Sequence, residues 1–131
     1  MTPVPRFETC RTPAHFDVHA PDGSEIRLLP RVSGGSMAHC TLPVGGVTLA
    51  MHHQTVEELW YFLSGSGQVW RKDGSIETVE DVLPGIALSI PLGVHFQFRN
   101  TGDEPLRFVL VTMPPWPGEQ EAVRVPDHWP I

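Results

Sequence analysis

Proline and glycine punctuate this chain from end to end. Fourteen Pro and twelve Gly are spread across 131 residues rather than clustered, and the runs between them are too brief for ordinary helices. That spacing predicts an all-β protein. Candidate strands bounded by Gly, Pro, Asn or Asp fall at 26–29, 37–42, 47–53, 58–63, 68–72, 86–90, 95–99 and 106–113, and eight such runs suffice for a sandwich or a barrel. Ser64-Gly65-Ser66-Gly67 and Lys72-Asp73-Gly74-Ser75 lie between β-rich runs. Glycine supplies the positive φ of tight turns, so both read as hairpin tips. Residues 114–131 carry five Pro together with Trp116 and Trp129, which suits an extended strap laid over a barrel rather than another strand. Both tryptophans read as packing groups, because an aromatic ring gains most by burial.

No interior stretch has the length and polarity of a linker, so residues 1–131 are expected to form one domain, with a barrel core over about 26–113 and the strap over 114–131. Apolar residues make up 40% of the chain, with six Phe and four Trp among them, enough for a core without disulfide or metal staples. The formal net charge of −6 contains no basic run, which argues against a nucleic-acid or anionic-membrane partner. Cys10 and Cys40 lack the spacing of a disulfide framework or a zinc knuckle and read as reduced structural residues. Residues 1–25 are broken by Pro and charge where a signal peptide needs an apolar run, and no segment approaches 18 apolar residues. A cytoplasmic protein is the expectation.

The stretch with most chemical content runs from Gly46 through His52-His53-Gln54 and Glu58 to Gly65. After an interval of 19 residues follow Gly85, Pro91-Leu92-Gly93, His95 and Asn100. The pair resembles the two conserved motifs of the cupins. In the first, a Gly precedes a His-x-His pair, a Glu and a closing Gly; the second ends in a His and an Asn. The resemblance implies a double-stranded β-helix, or jelly-roll barrel, with a pocket between two sheets. It also implies a divalent metal held by three His and one Glu.

Alternation along a strand puts His52 and Gln54 on one face and turns His53 to the other. Glu58 opens the next strand, so its carboxylate can turn toward the same interior. Two imidazoles and a carboxylate with open positions opposite suit Fe, Mn, Ni or Zn. The expected metal ligands are His52 and Glu58, with Gln54 and His95 conditional. Gln54 stands where the family has its second His, and an amide oxygen is the poorer ligand. The third family His falls at Phe96, one residue after His95; a one-residue slip reverses the face unless a bulge near Gly93 re-aims the side chain. The alternative for His52 and Glu58 is a buried hydrogen-bonded or ion pair without metal. His15, His19, His39 and His128 have no partner at ligand spacing.

Trp60, Phe62, Phe96 and Phe98 alternate inward with Glu58 and Asn100. They read as core, or as the walls of a substrate pocket for a small, partly aromatic ligand. Arg99 and Arg107 alternate outward. No phosphate-loop, nucleophile-elbow or dinucleotide signature is present, so a nucleotide cofactor is not expected. The function expected is a small-molecule cupin. As an enzyme it would be a metal-dependent dioxygenase, isomerase or decarboxylase of a small organic acid or phenol, with Glu58 as metal ligand or catalytic base. The alternative is a non-catalytic, metal-free binding module, and the fold leaves the two open. Val47, Leu49 and Met51 lie opposite the assigned His52 face; this apolar stripe is expected to meet the N-terminal segment or a second subunit in a homodimer.

Overall fold

The computed structural model describes residues 6–131. Residues 1–5, which belong to the single domain expected above and to the span read as lacking a signal peptide, lie outside the described residues. Eleven strands follow in chain order: β1 Val18–His19, β2 Glu25–Val32, β3 Gly35–Leu42, β4 Met51–His53, β5 Glu57–Ser64, β6 Gly67–Asp73, β7 Ile76–Val82, β8 Ala87–Ile90, β9 His95–Asn100, β10 Leu106–Met113 and β11 Ala122–Arg124. They form a six-stranded sheet in the order β1-β2-β3-β10-β5-β8 and a five-stranded sheet in the order β11-β4-β9-β6-β7. Every pairing is antiparallel. No helix among the described residues is long and apolar enough to cross a membrane.

The inner faces of the two sheets close on one core. Phe108 of β10 stacks on Trp60 of β5 at 4.3 Å between ring centroids, and Trp60 meets the edges of Phe96 and Phe98 of β9 at 5.7 and 5.1 Å. Phe62, Phe98 and Phe108 are sealed from solvent, each at most 1% exposed, so the lower barrel is filled by aromatic side chains in edge and offset contacts. Cys40 lies in this core, whereas Cys10 is exposed; both thiols are free.

All eight expected strands occur, but the run 47–53 shortens to β4, with Val47 reduced to an isolated bridge to Arg99. Three strands are additional. β7 is an acidic edge strand, exposed at every residue but Val82, so it lacks the apolar alternation that marks a half-buried strand. β11 corrects the reading of 114–131 as strandless: the strap turns through a short 3-10 segment at Glu119–Glu121 and pairs with β4. The turn at 72–75 is a hairpin tip, with Asp73 opposite Ile76. That at 64–67 is not, because β5 and β6 belong to different sheets; it is the corner that passes the chain from one sheet to the other.

Gly65 makes that corner. Its φ is +82°, and an added Cβ would stand 2.6 Å from the Pro105 carbonyl oxygen. The conformation alone penalises an L side chain by 1–2 kcal/mol, and the contact adds to it. Gly65→Ala is therefore expected to cost about 2 kcal/mol or more. Urea unfolding checks this, and an unchanged midpoint would show that the corner accommodates a side chain.

Beneath the strap, a second cluster joins Ala50, Trp70 and Trp129, with Val47 packed against it. Met51 is 4% exposed in the main core and Leu49 packs on the same core. The stripe assigned to an outer, dimer-forming face is thus covered within the chain. Apolar surface stays open instead on the outer face of the six-stranded sheet, at Met37, Leu59, Tyr61 and Leu63.

Candidate functional site

Strand β4 decides which side chains reach the barrel interior. Met51 pairs with Phe96 of β9, and both are buried. Alternation then sends His52 outward and His53 inward. His53 is 5% exposed and meets the rings of Phe96 and Trp116 at 5.1 and 5.4 Å. This reverses the faces expected from the sequence. Apolar Leu49 and Met51 take the core side, because burying them outweighs burying His52.

The candidate metal ligands therefore separate. His52 lies against His95 on the outer face of the five-stranded sheet, the rings stacked at 5.5 Å, and Glu58 lies inside. Gln54 is exposed, and its amide donates to the Gln120 carbonyl, tying down the strap. Its position on the rim of the β4–β5 turn keeps it out of the interior.

On β5, Glu58 is 5% exposed and sits opposite Thr112 of β10. The Thr112 hydroxyl donates to Oε2 at 2.8 Å, and the Trp60 indole donates to Oε1 at 3.0 Å. Trp60 lies two residues along the same strand face, so the strand itself supplies the second donor. Burial pushes the Glu58 carboxyl up to about 7 despite these two bonds, with the charges of Asp22 and Glu121 adding to the effect. His53 moves the other way. Burial holds its imidazole down to about 4 against the pull of Glu121, and His52 lowers it further. Its Nδ1 has no hydrogen-bond partner.

These residues border a cavity of about 770 Å³ between the sheets, with Phe96, Phe98 and Asp22 also in its walls and Trp116 contributing from the strap. Of the four aromatics expected to bind substrate, Phe96 and Phe98 border it. Trp60 and Phe62 do not; they fill the core beside Phe108. Asn100 is structural: its side-chain amide donates to the Leu42 and Glu104 carbonyls and its oxygen accepts from Gly102, setting the β9–β10 turn. Sequence reasoning missed His53, Met51 and Thr112, and it also missed Asp22, whose carboxyl is pushed up by burial while accepting from Ser24. The alternating apolar residues Leu49 and Met51 were the available signal for His53.

The interior does not suit a transition metal. Where the cupin pattern places a His-x-His pair, a Glu and a third His, the inward positions here hold Met51, His53, Glu58 and Phe96. One imidazole and one carboxyl remain, and each carboxyl oxygen already accepts one hydrogen bond from the protein. No three His, Cys, Asp or Glu side chains among the described residues group closely enough to hold a metal ion. Stable binding of a first-row metal by such groups calls for three or more protein donors.

The chain is 33% identical to an uncharacterised protein of Methanocaldococcus jannaschii over 107 residues, 78% of this chain and 82% of that one. It is also 33% identical to the xanthan biosynthesis protein XanB of Xanthomonas campestris over 87 residues, 66% of this chain but only 18% of XanB. An oxalate decarboxylase structure from Bacillus subtilis superimposes with a TM-score of 0.73 at 19% identity, covering 88% of this chain and 32% of that one. The cupin domain family model matches residues 38–112, a span that begins in β3, contains every strand bordering Glu58 and ends at Thr112. A family match over more than half of the chain, on a barrel of this topology, establishes that the protein belongs to the cupin family.

Proposed function

We propose that the protein is a small-molecule-binding cupin whose interior works without a resident metal. One observation carries this reading: a cavity of about 770 Å³ surrounds a donor set reduced to His53 and Glu58, with a thioether and a phenyl ring at the other two inward positions. The volume lies in the range of ordinary ligand pockets, and apolar walls with a few polar anchors are their usual composition. Of the two expectations drawn from the sequence, the metal-free binding module is thus favoured over the metal-dependent dioxygenase, isomerase or decarboxylase. The likeness to oxalate decarboxylase is one of fold, and the likeness to XanB covers a small part of that protein.

Untagged protein, washed with chelator, then offered Fe, Mn, Ni or Zn and desalted, is expected to retain well under 0.3 metal ions per chain (an order-of-magnitude threshold for a two-donor site). His53→Ala is expected to leave that value unchanged. Near-stoichiometric metal that disappears in His53→Ala would overturn the reading. Metal lost only in His52→Ala would instead trace to the stacked imidazoles on the outer face.

A further inference from the structure

The charge inside the cavity is one-sided. Asp22 and Glu58 both border it, and each raises the proton affinity of a neighbour: Asp22 acts on Glu58 and on the buried Cys40 thiol. Every side-chain donor recorded on these two carboxyls is neutral, namely Ser24, Trp60 and Thr112. Among the described lining residues the single arginine is Arg31, whose backbone N–H donates to the exposed Glu8. The exposed Glu8 and Glu119 line the cavity too, so its acids outnumber its one arginine.

A second feature points to a ligand independently. His53 is 5% exposed, borders the same cavity and has an Nδ1 without a partner. Buried polar groups of this kind are ordinarily satisfied. With its proton affinity lowered by burial, the imidazole stays neutral at neutral pH, where it can accept a hydrogen bond from a donor brought in by the ligand. Phe96 and Trp116 touch it and Phe98 and Phe108 line the same cavity; aromatic ring faces attract cations and their surface takes an apolar body.

Resting on the proposed metal-free binding role, we infer that the ligand is a small cationic amine with an aromatic or apolar body. The ammonium group lies in the cavity that Glu58, Asp22 and His53 line, and the body lies against the ring walls. A positive charge supplies what buried Glu58 and half-buried Asp22, held by neutral donors alone, lack, whereas a carboxylate or phosphate ligand would meet two acids and an imidazole held neutral. The cavity is in this respect opposite to one built for organic acids.

The test uses the full chain and three probes of matched size at pH 7.5: 2-phenylethylamine, 2-phenylethanol and phenylacetate, each titrated calorimetrically. The amine is expected to bind at least tenfold more tightly than phenylacetate, with the alcohol between them. Glu58→Gln and Asp22→Asn are each expected to reduce the amine's affinity severalfold and to leave the alcohol's within about threefold. The decisive comparison is made on the unaltered protein, so a variant that folds poorly does not blunt it. An amine preference below tenfold over phenylacetate, or an alcohol bound as tightly as the amine, overturns the charge assignment and leaves the binding role standing. Failure of all three probes to bind the folded protein overturns the binding role itself.

Discussion

Gln97→Leu is expected to cost roughly 4 kcal/mol of folding stability and to loosen the C-terminal strap. Gln97 is fully buried. Its amide donates to the carbonyls of Thr48 and Trp129 at 2.8 and 2.9 Å, and its oxygen accepts the backbone N–H groups of His128 and Trp129, both at 2.8 Å. Leucine fills a similar volume but leaves two carbonyls and two N–H groups without partners. Each orphaned buried group costs about 1–3 kcal/mol, and water reaching the released strap recovers part of the total. Trp129 would move with it, leaving Ala50 and Trp70 and freeing the Arg99 guanidinium that sits 4.4 Å above its ring. Urea unfolding should show the loss together with a red shift in tryptophan emission before the main transition. A loss below about 1 kcal/mol, the scale of one ordinary hydrogen bond, would mean that the strap is held by something else.

The second large effect is a pH profile that two variants should pull in opposite directions. Glu58 titrates near 7 in the folded chain against 4.5 for an unperturbed Glu, so the native state holds the extra proton between those values. The stability this contributes is complete below pH 4.5 and disappears as pH rises through 7. His53 is the converse case, near 4 against 6.5. Its contribution is present above pH 6.5 and is lost as pH falls toward 4. Each shift corresponds to roughly 3 kcal/mol, and between pH 4.5 and 6.5 the two slopes cancel.

Glu58→Gln is therefore expected to grow more stable from pH 4 to 6.5, and His53→Gln to grow less stable from pH 4.5 to 7. The unaltered chain should stay nearly flat between pH 4.5 and 6.5. Asp22 and Glu121 face Glu58, and Glu121 and His52 face His53; all three remain in both variants. Melting temperatures across pH 4–8 decide it, and parallel profiles for the two variants would refute the assignment.

Much of the barrel was legible in the chain because turn residues and alternation are local signals. β10 occupies the expected 106–113, and β3, β5, β6 and β9 extend their expected runs by one or two residues in total at their ends. β7 was invisible for a physical reason: its sequence, IETVEDV, belongs to an edge strand that buries almost nothing, so apolar periodicity could not mark it. β11 consists of three residues made regular only by pairing with β4, a long-range contact that no local pattern encodes.

The site was legible in part. Glu58, Phe96 and Phe98 point inward as alternation required. The two histidines were exchanged because adjacent Gly45 and Gly46 offer two starting points for counting the first motif. Starting from Gly46 favours His52; starting from Gly45 places Met51 and His53 inward, as the structure has them. Apolar Leu49 and Met51 decide between these, since an inward imidazole at 52 would have required Met51 to face out. Asp22 and Trp116 reach the cavity from segments remote in sequence, and only the folded chain brings them there.

The Glu121 carboxylate has a further consequence. It accepts hydrogen bonds from the Thr55 and Val56 backbone and from the Thr55 hydroxyl, fastening the turn between β4 and β5 from a position 65 residues further along the chain. The short strand that carries His53 thus pairs on both sides with strands made after it, β9 and β11. Until residues 116–124 have been made, this side of the cavity lacks Trp116, the β11 pairing and the Glu121 clamp. The barrel can close around His53 only once β11 and Glu121 are available to it.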